Sequence, residues 1–155
     1  MQFYFYNEGF KNAIDQYQLN EEQLRFTGDP KDCIKLSNED SERSSILAME
    51  NNHLVTFFVL HINEGVKPYS KNAYAILLRA FSTDFRHQGK GYAKQVLMQL
   101  PDFVKENFRG INEIVLAVNV GNEAAQGLYK KCGFIDEGER RMGPKGELII
   151  MSYYL

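Results

Sequence analysis

Residues 83–93 (TDFRHQGKGYA) join two runs of different periodicity and limit the folds open to this chain. The apolar residues 73–81 predict a strand, and the amphipathic run from Tyr92 predicts a helix. A Gly-x-Gly turn at such a junction leaves backbone N–H groups without intrahelical partners, at the positive end of the helix dipole. The junction can therefore bind an anion, with Gly89 and Gly91 allowing close approach. A plain strand-to-helix turn explains the same pattern, so other features have to decide.

Length and composition indicate one globular domain. The chain has 155 residues, 44% of them hydrophobic and 25% charged, which are ordinary values for a soluble domain. The formal net charge of −2 argues against nucleic acid or an anionic membrane as the main partner. No apolar run approaches the roughly 20 residues that span a bilayer. Residues 1–6 lack the basic and apolar regions of a signal peptide.

The cysteines and histidines indicate neither a disulfide framework nor a metal site. Two cysteines, Cys33 and Cys132, are too few for such a framework and favour reduced thiols in a cytoplasmic protein. His53 and His61 lie eight residues apart on one predicted strand, which is not the spacing of a metal site. We therefore expect no metal.

The remaining periodicity predicts a mixed α/β layer fold. Residues 3–6 are either an opening strand or a short aromatic segment on the core, and residues 7–20 have helical spacing. Asp29 and Pro30 predict the start of a further short helix. The later pattern predicts the hairpin strands 45–50 and 53–62, strand 73–81, helix 92–108, strand 114–118, helix 122–131, and strands 134–138 and 148–154.

Two of these elements carry further information. Strand 53–62 is apolar on both faces, which predicts an interior strand covered on both sides. Pro101 lies inside the predicted helix 92–108, so either the helix kinks there or one helix ends and another begins.

Two motifs on these elements resemble the GCN5-related N-acetyltransferases. Residues 88–93 (QGKGYA) fit the signature Q/R-x-x-G-x-G/A, in which that family's backbone amides hold the pyrophosphate of acetyl-CoA. Residues 114–119 (IVLAVN) and 122–134 (NEAAQGLYKKCGF) fit its second landmark, a strand followed by N-x-x-A-x-x-L-Y-x-x-x-G-F. Because the motifs occur in family order and on the expected elements, the pair is more specific than either alone. The resemblance covers residues 73–155.

The resemblance implies a single acetyltransferase domain over residues 1–155. Within it, residues 1–40 would be variable acceptor-side helices, residues 73–134 the acetyl-CoA-binding core and residues 134–155 the C-terminal strands. The implied fold is a mixed, mostly antiparallel central sheet of about six or seven strands flanked by helices. The two central strands would splay into a V that receives the thioester. A homodimer is common among such proteins, and the aromatic end at residues 153–155 could pack against a partner.

The resemblance also implies a set of donor-binding residues. Backbone N–H groups of the motif would bind the pyrophosphate, and the end of the preceding strand would pair with the pantetheine arm and the acetyl carbonyl. Asn122 would cap its helix and could touch pantetheine. The expected residues are Phe81, Ser82, Thr83, Gln88, Gly89, Lys90, Gly91, Tyr92, Ala93 and Asn122. A solvated charge explains Lys90 equally well, and a plain helix cap explains Asn122.

Tyr129 is the residue expected to take part in catalysis. Attack of an amine on the thioester forms a tetrahedral intermediate that expels CoA thiolate, and a phenol can protonate that sulfur. The alternative is a tyrosine that only packs its helix on the core. The general base stays open among Glu50, Asp84, His61 and His87, because no pattern distinguishes one of them.

Residues and resemblance together predict an acetyl-CoA-dependent N-acetyltransferase. We expect direct attack by a primary amine in a ternary complex, with a small molecule favoured as the acceptor. A protein N-terminal or lysine acetyltransferase is the alternative within the enzyme class. A CoA-binding sensor without turnover is the alternative outside it, and Tyr129 argues against that function. Arg79 departs from the acid that some polyamine-acetylating relatives carry at that strand position.

Overall fold

The computed structural model describes all 155 residues, and its helices and strands follow the predicted order. The strands are β1 (Gln2–Phe5), β2 (Arg43–Glu50), β3 (His53–His61), β4 (Ala75–Thr83), β5 (Glu113–Asn119), β6 (Ile135–Gly143) and β7 (Gly146–Tyr154). The α-helices are α1 (Lys11–Gln16), α2 (Glu21–Leu24), α3 (Pro30–Glu39), α4 (Tyr92–Asn107) and α5 (Glu123–Lys131). Short 3-10 turns occur at Glu8–Phe10, Asn63–Gly65 and Phe85–His87.

The strands form a seven-stranded mixed sheet in the order β1-β2-β3-β4-β5-β7-β6. The pairs β1–β2, β5–β7 and β6–β7 are antiparallel, and β4–β5 is parallel. The parallel ladder ends at Leu78 opposite Leu116, although β4 continues to Thr83 and β5 to Asn119. The predicted α/β fold with a mixed, mostly antiparallel sheet is confirmed, and residues 2–5 form the opening strand.

Contacts divide the chain into two compact units. The N-terminal unit contains residues 1–60 and 79–96, and the C-terminal unit contains residues 61–78 and 97–155. Both units are therefore discontinuous in sequence. The organisation as a single domain stays a prediction.

Apolar packing on the sheet stabilises the N-terminal unit. Its buried cluster joins α1 and α3 to β2 and β3 and contains Ile14, Ile34, Leu47, Leu54, Phe57 and Val59. As predicted, Asp29 caps α3 by accepting a hydrogen bond from Lys31 N, and Pro30 is the first helical residue. Strand β3 is buried at every position after His53, which confirms that it is an interior strand.

The C-terminal unit has its own cluster and corrects two details of the sequence prediction. The cluster contains Val66, Ala75, Leu77, Val115 and Ile150. Helix α4 runs continuously through Pro101, so the division into two helices is wrong. Strand β6 extends beyond the predicted 134–138. Its second half is exposed and charged, as an edge strand can be, so it lacks the apolar alternation that predicts a strand. None of the helices combines the length and apolar character that a membrane span needs.

Candidate active site

Strand β4 contains a strained residue shortly before the glycine motif. Ala80 has a φ of +54°, in the left-handed region that alanine rarely adopts. This conformation costs roughly 1–2 kcal/mol for a residue with a Cβ. Ala80 follows Leu78, the last β4 residue of the parallel ladder. Because strain of this kind clusters at ligand-binding sites, it marks the end of β4 as a candidate for ligand contact.

Residues 88–91 form an exposed loop that leads into α4. Gly89 and Gly91 have φ values of +76° and +82°, and a Cβ on either would have no atom within 4 Å. Both backbones therefore adopt a conformation that favours glycine, beside open space. The first hydrogen bond of the helix joins Gln95 N to Gly91 O at 3.1 Å. The N–H groups of residues 92–94 precede that ladder and can bind an anion.

Asp84 fixes the turn before this loop. Its side chain is 0% exposed and accepts hydrogen bonds from Arg86 N at 2.9 Å, Arg86 Nε at 3.0 Å and Arg86 Nη2 at 2.7 Å. Gln18 N donates a fourth, at 3.0 Å. Burial opposes ionisation, but these hydrogen bonds outweigh it and hold the pKa of the Asp84 carboxyl below its usual value. Asp84 is therefore a bound anion that organises the turn, and it is poorly suited to act as a base.

The end of β4 is held by side chains from the N-terminal helices. Tyr17 Oη donates to Ser82 O at 2.7 Å and lies 2.9 Å from Ser82 Oγ. Gln23 Nε2 donates to Thr83 O at 2.6 Å. Thr83 Oγ1 is hydrogen-bonded to Thr56 Oγ1 at 3.1 Å. The carbonyls of Ser82 and Thr83 thus each accept a hydrogen bond from a side chain of the N-terminal helices, and the pairing of these residues with pantetheine stays a prediction.

His87 lies beside the loop in a small aromatic cluster. Its ring centroid is 5.9 Å from that of His53 and 6.2 Å from that of Tyr92. Burial lowers the pKa of His87 and the nearby cations lower it further, while Asp84 acts in the opposite direction. The net effect is a lowered pKa, so the imidazole is predominantly neutral at neutral pH.

The second motif lies in the C-terminal unit, on α5. Asn122 Oδ1 accepts a hydrogen bond from Ala125 N at 3.3 Å, so Asn122 caps the helix as predicted. Tyr129 is 9% exposed, and its ring centroid lies 5.9 Å from that of Phe134. Burial raises the pKa of the Tyr129 phenol, so the phenol is protonated at neutral pH, as an exposed tyrosine also is, and is a weaker acid than an exposed tyrosine. The residue has the protonation state of a proton donor and also the ring contact of a packing residue.

Three of the four candidate bases are poorly placed for proton abstraction. Glu50 pairs with the amino group of Met1 at 3.2 Å, and Asp84 is held by Arg86 as described above. His61 is buried, with 5% of its surface exposed. His87 is the half-buried, predominantly neutral member of the set. No three His, Cys, Asp or Glu side chains are grouped as they would be around a metal ion.

Sequence reasoning missed three residues that shape this site. Tyr17 has the spacing of a core-facing helical residue, and nothing local indicates its bond to Ser82, 65 positions away. Gln23 belongs to a polar helical turn, and its partner Thr83 lies 60 positions away. Ala80 has the ordinary pattern of a strand residue, since no glycine marks the positive φ.

Comparisons with known proteins bear on the family and the fold of this chain. A model of the acetyltransferase (GNAT) family matches residues 10–134. The chain is 38% identical over 152 residues to the uncharacterized N-acetyltransferase YbbJ of Bacillus subtilis (strain 168), which covers 97% of this chain and 95% of the relative. It is also 38% identical over 52 residues to a spermidine N(1)-acetyltransferase of Vibrio cholerae, covering 34% of this chain and 30% of the relative.

Solved structures with the same fold include proteins bound to coenzyme A. Aminoglycoside acetyltransferase AAC(6')-Ib with coenzyme A and kanamycin aligns with a TM-score of 0.79 at 13% identity, covering 98% of this chain and 93% of that one. Spermidine N-acetyltransferase of Vibrio cholerae with CoA and spermine aligns with a TM-score of 0.72 at 18% identity, covering 99% and 94%. At these identities the likeness shows the fold.

Proposed function

This chain belongs to the acetyltransferase (GNAT) family and is an N-acetyltransferase of that type, and we propose that it transfers acetyl from acetyl-CoA to a small primary amine. The observation that supports the proposal most strongly is the donor loop, residues 88–93. Two glycines with positive φ, beside open space, lead into a helix of 16 residues. This arrangement suits the pyrophosphate of acetyl-CoA, because backbone N–H groups and the helix dipole both favour a diphosphate.

Further residues are assigned to the donor site. Lys90 and Lys94 are exposed on and beside the donor loop and would add long-range attraction for the polyanionic CoA. We assign Phe81, Ser82 and Thr83 to the pantetheine arm, since they follow the strained Ala80 at the end of β4. Asn122, which caps α5, is assigned to pantetheine on the family resemblance alone.

Acetyl transfer forms a C–N bond and breaks a C–S bond, while the nitrogen loses two protons and the sulfur gains one. The amine arrives largely as ammonium and loses a proton to a base or to water before its nitrogen attacks the thioester carbonyl. The resulting tetrahedral intermediate loses a second proton from its nitrogen to a base or to water, breaks its C–S bond and expels CoA as thiolate, which leaves a neutral amide. We assign the phenol of Tyr129 to protonate that sulfur because of its place in the family motif, Leu128-Tyr129 four residues before Gly133-Phe134. Solvent then returns a proton to the phenolate.

Two relatives support a small molecule as the acceptor. The partial sequence match is to a spermidine N(1)-acetyltransferase, and the same fold occurs in an aminoglycoside acetyltransferase bound to kanamycin. These acceptors carry several primary amines, so a polyamine or an aminosugar is the first class to test. Acetylation of protein N-termini or lysines is the alternative acceptor class, and CoA binding without turnover is the alternative function.

The test is release of thiol from acetyl-CoA in the presence of polyamines, aminoglycosides, amino acids and short peptides. We expect one small-amine class to stimulate release, and Gly91→Glu to abolish that stimulation. Gly110→Glu is the matched control, because Gly110 has a φ of +81° and also lies beside open space. Stimulation by peptides alone would favour a protein acceptor. Tight CoA binding without stimulated release by any amine would favour the sensor.

A further inference from the structure

Five consecutive residues before the donor loop are each hydrogen-bonded to one short N-terminal segment. We call that segment, residues 16–23, the strap; it runs from the end of α1 into α2. Its partners are residues 82–86. The hydrogen bonds are Tyr17 Oη to Ser82 O at 2.7 Å, Gln23 Nε2 to Thr83 O at 2.6 Å, Gln18 N to Asp84 Oδ2 at 3.0 Å, Phe85 N to Gln18 O at 2.9 Å and Arg86 Nη2 to Gln16 O at 2.8 Å.

Apart from these hydrogen bonds, the strap packs through Tyr17 on the buried cluster of the N-terminal unit. Helix α1 has six residues and α2 has four, and helices this short are not stable alone in water. Ile14 is the one buried residue of α1, and α2 has none. Within the strap, Tyr17 contributes an apolar contact, with its ring centroid 6.5 Å from that of Phe57. The order of the strap therefore depends on its bonds to residues 82–86 together with the packing of Tyr17.

Gln23 uses both ends of its side-chain amide. Its Oε1 accepts from Asn20 N at 3.0 Å, which closes the capping box of α2 together with Gln23 N and Asn20 Oδ1 at 2.9 Å. Its Nε2 donates to Thr83 O. The same side chain thus fixes the start of α2 and binds it to the end of β4. Gln23→Glu can preserve the capping box, since carboxylate oxygens also accept there, but it removes the bond to Thr83.

We propose that the strap couples occupancy of the donor loop to the order of the N-terminal helices, with Tyr17 and Gln23 as positioning residues. This inference rests on the proposed function, because it takes residues 88–93 as the CoA site and residues 1–40 as the acceptor side. CoA bound to the donor loop would restrain residues 82–86 and, through five hydrogen bonds, the strap. Coupling is reciprocal, so an ordered strap would also strengthen CoA binding. Donor binding would then prepare the acceptor side before the amine arrives.

Hydrogen–deuterium exchange of the full chain, with and without saturating CoA, tests this coupling. In the wild type we expect CoA to slow exchange of the strap, residues 16–23, by about fivefold or more, the lower range of allosteric coupling. Tyr17→Phe and Gln23→Glu should each reduce that ratio to below about twofold. Tyr4→Phe is the control, because Tyr4 lies on β1 with an exposed side chain and bonds only locally to Gln2. It should keep the wild-type ratio.

The ratio of the exchange rates without and with CoA distinguishes coupling from a purely structural role of Tyr17 or Gln23. A purely structural role for Tyr17 or Gln23 would speed exchange equally in both states and leave the ratio unchanged, which would overturn the proposal. A wild-type ratio near one despite CoA binding measured by calorimetry would also overturn it. Absence of CoA binding in calorimetry would instead refute the donor site itself, and the coupling with it.

Discussion

Two aspartate–arginine pairs in this protein have nearly the same geometry and different surroundings. Asp84 and Arg86 in the N-terminal unit approach to 2.7 Å, and Asp136 and Arg140 in the C-terminal unit to 2.8 Å. The Asp84 side chain is 0% exposed, whereas that of Asp136 is 21% exposed. Asp84 also binds Gln18, 66 positions away, while Asp136 binds groups of its own strand. The distance between the two side chains therefore indicates the role of such a pair less well than the segments that its aspartate connects.

One glycine and one tyrosine of the two motifs also have a counterpart outside the motifs with similar local geometry. Gly91 and Gly110 have φ values of +82° and +81° and both lie beside open space, but only Gly91 stands in the proposed donor loop. Tyr129 and Tyr153 both have rings within 6 Å of Phe134, at 5.9 Å and 5.6 Å, but only Tyr129 stands in the family motif. Each proposed functional residue thus has a counterpart with similar local chemistry, which serves as its control.

The largest effect is expected at the glycines. Gly91→Glu places a carboxylate beside the pyrophosphate, and a like-charge contact of several kcal/mol should weaken CoA binding at least about 100-fold. Gly110→Glu should leave CoA affinity within about twofold. Both variants should lose similar thermal stability, because each forces a side chain into a positive-φ backbone. Calorimetric titration with CoA and thermal unfolding measure the two effects, and equal weakening of CoA binding would contradict the donor-loop assignment.

The tyrosines come next. Tyr129→Phe should reduce turnover about 100-fold, the lower range for loss of a general acid, with CoA affinity almost unchanged. Tyr153→Phe, which keeps the ring against Phe134, should retain turnover. Steady-state thiol release with the stimulating amine gives the comparison. Full turnover by Tyr129→Phe would leave Tyr129 with the packing role alone.

Replacement of the two aspartates should lower the free energy of unfolding by different amounts. Asp84→Asn should destabilise the fold by about 2 kcal/mol at pH 7, because it weakens several buried hydrogen bonds. Asp136→Asn, on an exposed strand, should cost less than about 0.5 kcal/mol. Since folding lowers the pKa of Asp84, its ionisation stabilises the fold above the unfolded pKa of about 4, and this contribution is lost as the pH falls through the folded value.

Urea unfolding of the wild type and Asp84→Asn at several pH values measures this linkage. The difference in unfolding free energy should shrink as the pH falls below about 4. A difference that stays constant with pH would show that the lost hydrogen bonds do not depend on the charge of Asp84.

The smallest effect is expected at the exposed lysines. Lys90→Gln should weaken CoA binding about threefold at low salt, and the effect should disappear near 0.5 M salt because surface charges are screened. Lys71→Gln changes an exposed lysine of the C-terminal unit and should have no effect. A loss that persists at high salt would indicate a direct contact between Lys90 and a phosphate.

The sequence predicted those helices and strands whose side chains are buried in a regular pattern or whose ends carry a local capping signal. Strand β3 follows from its two apolar faces, and the start of α3 follows from Asp29 and Pro30, because these signals are local. Strand β6 was predicted too short because an exposed edge strand can be charged on both faces. The loop at residues 88–93 is recognisable because Gly89 and Gly91 have positive φ values, a conformation that favours glycine.

The contacts around the loop were beyond sequence reasoning for a physical reason. The strap and residues 82–86 meet through backbone groups and through amide and phenol side chains, and such partners leave no periodic pattern in either segment. The sequence indicates Asp84 only as a candidate base, since nothing in its neighbours along the chain shows that Gln18 N donates a hydrogen bond to its carboxylate. Hydrogen bonds between residues 60 or more positions apart in the sequence can be identified only once the fold is known.

The central claim is that the backbone of residues 88–93 binds the pyrophosphate of the donor. Its most direct test is the affinity of the wild type, Gly91→Glu and Gly110→Glu for CoA and for pantetheine, which lacks the pyrophosphate. We predict that the wild type and Gly110→Glu prefer CoA by at least about 100-fold, and that Gly91→Glu loses most of this preference. If Gly91→Glu weakens CoA and pantetheine equally, or leaves the preference intact, the pyrophosphate is bound elsewhere.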